Sequence, residues 1–252
     1  MDSVVIPVYN EEKILERTIE KVYGFLKSEK RDFELIIAND GSRDKTLAIA
    51  ESLLKKYKGL RIISHASNQG RGAVLTNAFR RINGDIGVYI DADLAIDLKL
   101  YPRLIEEINS GADIAIGSKH LKNSEVQCPV SRRIASKGYS FLARLLLGSK
   151  IRDYQCGFKA FRKDVLDKIL PYAKEKGWSW DTEVIVKSGW IGYKIAEVPA
   201  KVVNVYGRES KVHLFRDVRR MGSGLFRLWK EKAEYKKKKY KKKNSIRKKL
   251  ND

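Results

Sequence analysis

The sequence predicts an α/β protein whose mostly parallel central sheet is covered by helices on both faces. Short, nearly continuous apolar runs alternate with longer segments in which apolar residues recur at helical spacing. Strands that are apolar along their whole length are typical of parallel sheets, because both faces of such sheets are buried. The chain has 252 residues, of which 43% are hydrophobic, so it can bury a large core.

Five strands and four intervening helices are predicted in the first half of the chain. The predicted strands cover residues 3–9, 33–40, 60–65, 85–93 and 112–118. The predicted helices cover residues 10–29, 45–57, 72–82 and 99–109. Asn10 is the expected N-cap of the first helix, with Glu11 and Glu12 in its first turn. Asp40 or Ser42 is the expected cap of the second helix.

The second half is less regular. Residues 153–161 are expected to form a strand or a loop, and residues 194–205 are expected to be extended, with Pro199 indicating an edge strand or a bulge. Helical spacing recurs over residues 131–147, from Lys163 onward, over 178–190 and over 212–230.

The charge is strongly positive and unevenly placed. The formal net charge is +21, and residues 230–252 carry 12 Lys/Arg against 3 Asp/Glu, a net of +9. This balance favours an anionic partner, which could be a nucleotide, a nucleic acid or an acidic membrane surface. Two cysteines without metal-ligand spacing favour a reduced, intracellular protein. We expect neither a signal peptide nor a membrane-spanning helix, since no apolar run reaches ~18 residues.

Polar clusters follow four of the predicted strands. They are YNEE at residues 9–12, NDGSRD at 39–44, DAD at 91–93 and GSKH at 117–120. In sheets of this kind ligands bind beyond the carboxyl ends of the strands, so the four clusters are expected to converge on one edge of the sheet.

Asp91 and Asp93 predict a metal site. They follow a buried strand two positions apart, and strand alternation would place both side chains on one side. Two such carboxylates repel each other unless a cation lies between them, and Mg²⁺ or Mn²⁺ accepts oxygen ligands of this kind. For an isolated D-x-D pattern the alternative is two solvated aspartates in a turn.

Two further polar segments are less specific. Residues 39–46, NDGSRDKT, form either a simple strand-to-helix connection or a site where a carboxylate meets a nucleobase or ribose. Residues 68–74, NQGRGAV, are rich in glycine but match neither a Walker loop nor a dinucleotide fingerprint. A tight turn is the favoured interpretation there, ahead of phosphate contact.

Together the segments VVIPVYNEE, NDGSRDKT, DADL and AIGSKH resemble glycosyltransferase family 2, the inverting GT-A fold, over residues 3–215. The segments IRDYQCGFKAFRKDVL, WSWDTEVI, IAEVPAKV and RESKV are similar to those of dolichyl- or polyprenyl-phosphate hexose synthases. The resemblance implies transfer of a hexose from a nucleotide sugar, of GDP-mannose or UDP-glucose type, to dolichyl or polyprenyl phosphate. The implied cofactor is Mg²⁺ or Mn²⁺.

The resemblance also implies roles for individual residues. The nucleotide-sugar contacts would fall on Pro7, Tyr9, Glu11, Ala38, Asp40 and Ala92. The metal would fall on Asp91 and Asp93, and the basic groups near the phosphates would be Lys119, Arg132, Arg208 and Lys211. Because an anionic acceptor phosphate needs positioning and charge compensation, we assign that role to Lys119, Arg132 and Arg133, with Ser136 as a hydrogen-bond donor. The alternative for Arg132 and Arg133 is a solvated helix face.

The segment WSWDTE leaves two choices open. Asp181 or Glu183 would contact sugar hydroxyls, or act as a general base if the acceptor is a hydroxyl. Trp178 and Trp180 would line the sugar pocket or pack in the core.

Three departures from the family pattern concern the sugar and the acceptor geometry. Asn39 replaces the first aspartate of the usual DDGS, and Ala95 stands where a glutamine can help to hold metal. Lys119 replaces the arginine of GSR, so it supplies charge without a bidentate fork.

The chain is expected to divide into a catalytic domain over residues 1–211, an amphipathic interfacial helix over 212–230 and a basic, disordered tail over 231–252. Large apolar residues and arginines interleave in the helix, which favours a position in a membrane interface, with the tail attracted to anionic lipid. A packed terminal helix is the alternative.

We therefore expect peripheral association with the cytoplasmic face of a membrane. A membrane-anchoring partner protein is left open. The rival functions are sugar transfer to a hydroxyl on a glycan and, more distantly, nucleic-acid binding through the basic tail. No nucleic-acid recognition motif is present in the sequence, so a nucleic-acid partner is not expected.

Overall fold

The computed structural model describes residues 1–126, 130–203 and 221–235, apart from the side chains of residues 130–132. Its centre is a seven-stranded sheet, and a separate pair of short strands lies beside it. The strands are β1 (Asp2–Val8), β2 (Phe33–Asn39), β3 (Leu60–Ser64), β4 (Ile86–Ile90), β5 (Ile114–Ser118), β6 (Glu125–Val126), β7 (Phe158–Arg162), β8 (Ile195–Pro199) and β9 (Lys201–Val202).

The central sheet has the order β3-β2-β1-β4-β7-β5-β8. All of its pairings are parallel except those of β7, which runs antiparallel to β4 and β5. The predicted mostly parallel sheet is therefore confirmed. The expected edge position of Pro199 is also confirmed, because β8 ends there at the edge of the sheet.

Helices pack on both faces of the sheet. They are α1 (Leu15–Ser28), α2 (Thr46–Leu54), α3 (Arg71–Phe79), α4 (Leu100–Asn109), α5 (Val130–Leu147), α6 (Lys163–Ile169), α7 (Trp180–Ile191) and a helix that covers residues 221–235. No helix in the described residues is both long and apolar enough to cross a bilayer.

The core has two halves, one on each face of the sheet. Val4, Ile6 and Val8 of β1 pack in the half that contains α1 and α4, whereas Val5 packs in the half that contains α3, α6 and α7. This alternation follows from the two-residue period of a strand. Burial of each such side chain contributes about 1.5–3 kcal/mol, so the apolar run of β1 fixes both layers at once.

The start of the first helix differs from the prediction. α1 begins at Leu15, and Asn10 is not its cap. Asn10 instead has a left-handed backbone (φ 52°), and its side-chain oxygen accepts a hydrogen bond from the Arg43 amide at 2.8 Å. Asparagine tolerates this conformation, so the segment that was expected to be the first helical turn is a turn docked on the next loop.

The cap of the second helix was also assigned wrongly. The Thr46 amide donates to Asp44 at 3.0 Å, whereas Asp40 and Ser42 have other partners. Propensity could not choose among the polar side chains of this turn, because each of them can accept a hydrogen bond from a backbone amide.

Candidate functional site

The two aspartates of DAD lie beyond the end of β4. The strand ends at Ile90, and a turn follows, in which the Leu94 amide donates to the Asp91 carbonyl at 3.0 Å and Leu94 has a φ of 49°. The Asp93 carboxylate accepts a hydrogen bond from the Ala95 amide at 3.1 Å. A turn, and not strand alternation as predicted, therefore presents these carboxylates.

Gly157 fixes the position of Asp91. The Asp91 amide donates to the Gly157 carbonyl at 2.9 Å, and a Cβ atom on Gly157 would lie only 1.9 Å from Asp91 Oδ2. A larger residue at this position would therefore displace the Asp91 carboxylate. The sequence contains this signal as the QCGFK segment, where the glycine precedes β7.

Arg71 contacts Asp91 directly, and the sequence analysis missed it. Its guanidinium lies 2.7 Å (Nη2) and 3.3 Å (Nε) from Asp91 Oδ1, and its Nη1 lies 2.6 Å from Asp181 Oδ2. The guanidinium also lies over the rings of Tyr89 and Trp178, with its carbon 4.9 and 5.5 Å from their centroids. Arg71 thus joins the turn after β4 to the start of α7.

The glycines around Arg71 explain the NQGRGAV segment. Gly70 has a φ of 106°, and a Cβ atom there would lie 2.3 Å from the Lys176 carbonyl oxygen. A Cβ atom on Gly72 would lie 2.4 Å from Cβ of Trp180. Residues 68–70 form an irregular loop that leads directly into α3, in place of the predicted tight turn, and the two glycines let Arg71 approach the segment that leads into α7.

Asp181 belongs to a buried ionic network that also contains Arg71 and Lys159. Lys159 Nζ lies 2.8 Å from Asp181 Oδ1 and 2.6 Å from the hydroxyl oxygen of Tyr89, which itself donates to Asp181. Burial opposes ionisation of Asp181, but the charges of Lys159 and Arg71 hold the pKa of its carboxyl below the ordinary value. Asp181 is therefore an anion with hydrogen bonds to both oxygens.

Glu183 and Trp180 have structural contacts. Glu183 accepts hydrogen bonds from the amides of Lys174 and Glu175 and from Lys187 Nζ, at 2.7–2.8 Å. Trp180 is fully buried, and its indole nitrogen donates to the Thr76 hydroxyl at 2.8 Å. Of the two alternatives for Trp180, core packing is the one observed.

The electrostatics around Asp91 favour a cation. Burial raises the pKa of its carboxyl, and the negative charges of Asp93 and Asp181 raise it further, against the opposing effect of Arg71. Asp91 and Asp93 are thus within electrostatic reach of each other. In the described residues no group of three or more His, Cys, Asp or Glu side chains gathers at one point. The two carboxylates of Asp91 and Asp93 suit Mg²⁺ or Mn²⁺, since such an ion is commonly held by one or two carboxylates together with substrate phosphates.

Lys119 is paired with the buried Asp153. Its Nζ lies 2.8 Å from Asp153 Oδ2, and its amide donates to the same oxygen at 2.9 Å. Burial opposes the charge on Lys119, but Asp153 and, more weakly, Asp91 raise the pKa of its ammonium group. Lys119 is therefore a fixed cation within electrostatic reach of Asp91.

The predicted acceptor residues lie on and near α5. Ser136 Oγ lies 3.1 Å from Nε2 of His120, the residue next to Lys119. Arg133 is exposed, and it donates to the Val126 carbonyl at 2.7 Å. The Arg132 side chain lies outside the described residues, as do Arg208 and Lys211.

The predicted nucleotide contacts lie at the carboxyl ends of β1 and β2. Pro7 and Ala38 are direct neighbours across these strands, and Tyr9 and Glu11 are half-buried in the turn after β1. Ala92 is buried, and its carbonyl accepts from the Thr18 hydroxyl at 2.7 Å. The structure therefore brings these residues to the same edge as the DAD turn.

Asp40 organises the loop that carries Arg71. Its carboxylate accepts hydrogen bonds from the amides of Gln69 and Gly70 at 2.9 and 2.8 Å, and it lies 3.0 Å from Nδ1 of His65. The neighbouring Asn39 donates to the Ser64 hydroxyl at 2.8 Å. Both residues therefore have contacts within the protein.

Comparisons with known proteins agree with this geometry. The family model described as "Glycosyl transferase family 2" matches residues 3–170. The chain is 37% identical to Glycosyltransferase AglD of Haloferax volcanii over 232 residues, which is 90% of this chain but 36% of that protein. It is 33% identical to the dolichol-phosphate mannosyltransferase of Pyrococcus furiosus, over 78% of this chain and 55% of that protein. It is 31% identical to the dolichyl-phosphate beta-glucosyltransferase of Saccharomyces cerevisiae, over 88% of this chain and 72% of that protein.

A solved structure shows the same fold. Glucosyl-3-phosphoglycerate synthase from Mycobacterium tuberculosis, in complex with Mn²⁺, UDP and phosphoglyceric acid, is similar with a TM-score of 0.67 at 20% identity. The similarity covers 92% of this chain and 78% of that chain. The predicted GT-A fold class is therefore confirmed.

Proposed function

The chain belongs to glycosyl transferase family 2, and on this premise we propose that it transfers a hexose from a nucleotide sugar to dolichyl or polyprenyl phosphate with inversion. Two relatives named for such lipid phosphates, one a mannosyltransferase and one a glucosyltransferase, support this acceptor. The donor would be a GDP-mannose or UDP-glucose type of nucleotide sugar. The chain spans 36% of AglD and 55% of the Pyrococcus enzyme, so the proposal concerns the part that these proteins share.

The donor side of the site would be formed by the edge of the sheet. Pro7, Tyr9, Glu11, Ala38 and Asp40 lie where a nucleoside would meet the ends of β1 and β2. Asp91 and Asp93 would hold Mg²⁺ or Mn²⁺, which neutralises negative charge on the departing diphosphate. The complexes of the Mycobacterium enzyme with Mn²⁺ and UDP support a divalent metal here without selecting between the two ions.

The observation that carries the acceptor assignment is the state of the candidate bases. Asp181 and Glu183 each have both carboxylate oxygens hydrogen-bonded or ion-paired within the protein. A hydroxyl acceptor needs a base to take its proton. A phosphate oxygen is already anionic near neutral pH and needs only positioning and compensation of its charge.

Charge compensation would come from the Lys119 region. Lys119 is held cationic by Asp153. Ser136 and Arg133, which lie near the start of α5, would supply further donors, with Arg132, Arg208 and Lys211 as predicted additions. The hydroxyl-acceptor alternative would instead require Asp181 or Glu183 to give up a buried ionic contact.

A paired-acceptor assay tests the function. The protein is incubated with Mg²⁺, labelled nucleotide sugars and either a polyprenyl phosphate or the same polyprenol without phosphate. We expect label in the lipid phase with the phosphate alone, and none with Asp93→Asn. Equal labelling of the free polyprenol would contradict the phosphate acceptor, and full activity of Asp93→Asn in chelator would contradict the metal role.

The outward face of α5 supports peripheral membrane association. Along this helix Ser140, Ala143 and Leu147 point into the core. The opposite face carries Ile134, Phe141, Leu142 and Leu145, which are 49–68% exposed. α5 contains four basic residues and no acidic one, so an anionic lipid surface matches both its apolar stripe and its charge.

The predicted interfacial helix is only partly described. Residues 212–220 lie outside the described part of the chain, and the helix over 221–235 packs on the protein through Leu225 and Leu228. These two leucines pack on the protein, as the alternative of a packed helix expects, and the interfacial position of residues 212–230 stays a prediction. Phe226 and Trp229 are exposed and stack on each other, with ring centroids 5.7 Å apart.

Vesicle sedimentation tests the membrane contact. Replacement of Phe141 and Leu145 by glutamate should weaken binding to phosphatidylglycerol vesicles by about tenfold or more, because it removes two apolar side chains from the interface. The control replaces Leu54 and Ile191 by glutamate; these residues are 42% and 50% exposed on α2 and α7, against 57% and 68% for Phe141 and Leu145. Equal loss in both double variants would contradict a specific role for α5, and tighter binding to nucleic acid than to vesicles would revive the distant alternative. Attachment to the cytoplasmic face and a membrane-anchoring partner remain predictions.

A further inference from the structure

Arg71 is the counterion of the carboxylate that is proposed to hold metal. Its Nη2 and Nε both lie within 3.3 Å of Asp91 Oδ1, and its side chain is 13% exposed. The other oxygen, Oδ2, faces Gly157, which is the residue directly before β7. In this arrangement a guanidinium supplies the positive charge that the pair Asp91 and Asp93 attracts.

A guanidinium and a divalent cation compete for the same carboxylate. The positive charge of Arg71 repels a second cation, and its hydrogen bonds use lone pairs of Asp91 Oδ1 that a metal would need. We propose that Arg71 is a movable counterion, which leaves Asp91 when the cation binds and then pairs with the diphosphate of the donor. This inference rests on the proposed function, because it takes the cation and the nucleotide sugar as ligands of this site.

The network around Asp181 allows this movement. Arg71 contacts Asp181 through Nη1 and Asp91 through Nη2 and Nε, so its contacts with Asp91 can be exchanged while Asp181 keeps Arg71, Lys159 and the Tyr89 hydroxyl as partners. The rings of Tyr89 and Trp178 form an apolar, electron-rich wall along which a guanidinium can move at low cost.

The backbone of Arg71 stays fixed while its side chain moves. The amides of Gly72 and Ala73 donate to the Lys176 carbonyl at 2.7 and 3.1 Å, which anchors the start of α3. Arginine is suited to the second position because its planar fork matches the oxygens of a diphosphate. Metal and nucleotide binding are thereby coupled, since each favours the same position of Arg71.

Two affinities measured on Arg71→Gln test the inference. Without nucleotide, we expect Mn²⁺ to bind about tenfold more tightly than to the wild type, measured by electron paramagnetic resonance, because the competing charge is gone. At saturating Mn²⁺, we expect UDP or GDP to bind about tenfold more weakly, measured by calorimetry, because a charge-assisted contact is lost. If Arg71 had only a structural role, Arg71→Gln would bind both Mn²⁺ and the nucleotide more weakly than the wild type.

Controls separate this inference from the proposed function. If Asp93→Asn binds Mn²⁺ as the wild type does, the proposed metal site fails. If Asp93→Asn loses Mn²⁺ but Arg71→Gln binds Mn²⁺ no more tightly, the movable counterion alone is refuted. Should Arg71→Gln not fold, as judged by circular dichroism, the same two affinities are measured on Arg71→Lys. Its point charge lacks the bidentate fork, so the opposite changes in affinity should persist at a smaller size, and their absence overturns the inference.

Discussion

Asp153 is fully buried and forms an ion pair with Lys119, which makes this pair sensitive to substitution and to acid. Burial opposes ionisation, but the charge and the amide of Lys119 hold the pKa of the Asp153 carboxyl below its ordinary value. The folded pKa therefore lies below the unfolded value of about 3.9. The pair stabilises the fold above that pH, and its contribution is lost as the pH falls through the depressed folded pKa.

Asp153→Asn should lower the free energy of unfolding by about 3–5 kcal/mol at pH 7, because it leaves Lys119 unpaired in a buried site. The difference from the wild type should be constant between pH 5 and 8 and should narrow below about pH 4, where Asp153 of the unfolded chain begins to be protonated while the folded protein still holds it ionised. Urea unfolding at several pH values measures both effects. Asp164→Asn, in an exposed pair with Arg162, is the control and should change stability by less than about 1 kcal/mol. Equal losses in the two variants would contradict the role of burial.

Gly157 lies against the Asp91 carboxylate, so its substitution should affect the rate of sugar transfer. Gly157→Ala should reduce the rate of sugar transfer about 10²-fold, because its Cβ atom would push Asp91 out of position by roughly an ångström. The initial rate in the paired-acceptor assay measures the loss. Gly24→Ala in α1 is the matched control, since a Cβ atom there meets nothing within 4 Å. An active Gly157→Ala enzyme would show that the position of Asp91 is not critical.

At the residue scale, the sequence predicted the short-range features of the site and missed the long-range ones. The proximity of Asp91 and Asp93 could be predicted because a recognisable pattern places both just beyond the end of one strand, and their role as metal ligands stays a prediction. Arg71 is 20 residues from Asp91 and 110 from Asp181, and no local periodicity relates these positions. The glycines on either side of Arg71 were the available signal, but a tight turn explained them equally well.

At the scale of elements, the helix over residues 221–235 shows what periodicity can and cannot decide. Its apolar residues were predicted from helical spacing, and helix was found there. Spacing alone does not say which of two adjacent apolar stripes packs on the protein. Leu228 is fully buried whereas its neighbour Trp229 is 46% exposed, and contacts from Lys187 to Glu231 at 2.8 Å and from Tyr235 to the Trp190 carbonyl hold the helix in place.

This pair of neighbours gives a direct test of the packing. Leu228→Ala should destabilise the protein by about 2–5 kcal/mol, since it leaves a cavity in the core. Trp229→Ala should change the free energy of unfolding by less than about 1 kcal/mol, while it weakens binding to anionic vesicles if this face meets lipid. Thermal unfolding and sedimentation measure the two effects. A larger loss of stability for Trp229→Ala than for Leu228→Ala would show that the helix packs through the other stripe.

At the scale of the whole molecule, the alternation of strands and helices was sufficient to predict the layers and the mostly parallel sheet. The placement of β7 could not be predicted in the same way. This strand inserts between β4 and β5 although 39 residues separate the end of β5 from its start, and it runs against both. Its neighbour is selected by the tertiary packing of Phe158 and Phe161 on opposite faces of the sheet, and short-range pattern does not contain that information.

The uneven charge of the chain leads to a prediction about its association with membranes. Residues 236–252 contain 10 Lys/Arg and one acidic residue, a net of +9, whereas residues 231–235 belong to the packed helix. Truncation after Tyr235 should therefore weaken binding to phosphatidylglycerol vesicles at low salt without a loss of thermal stability. Each basic residue near an anionic surface contributes about 1 kcal/mol.

The salt dependence of binding separates this charge effect from the apolar contact of α5. Wild-type binding should fall steeply between 50 and 500 mM NaCl, because the screening length shortens from about 14 to about 4 Å. The truncated protein should show a flatter dependence, and at 500 mM NaCl the two proteins should bind alike through apolar contacts. Sedimentation with vesicles at each salt concentration measures both curves. If the truncated protein has the same salt dependence as the full chain, residues 236–252 do not contact the membrane. The electrostatic attraction to the vesicles must then come from residues 1–235.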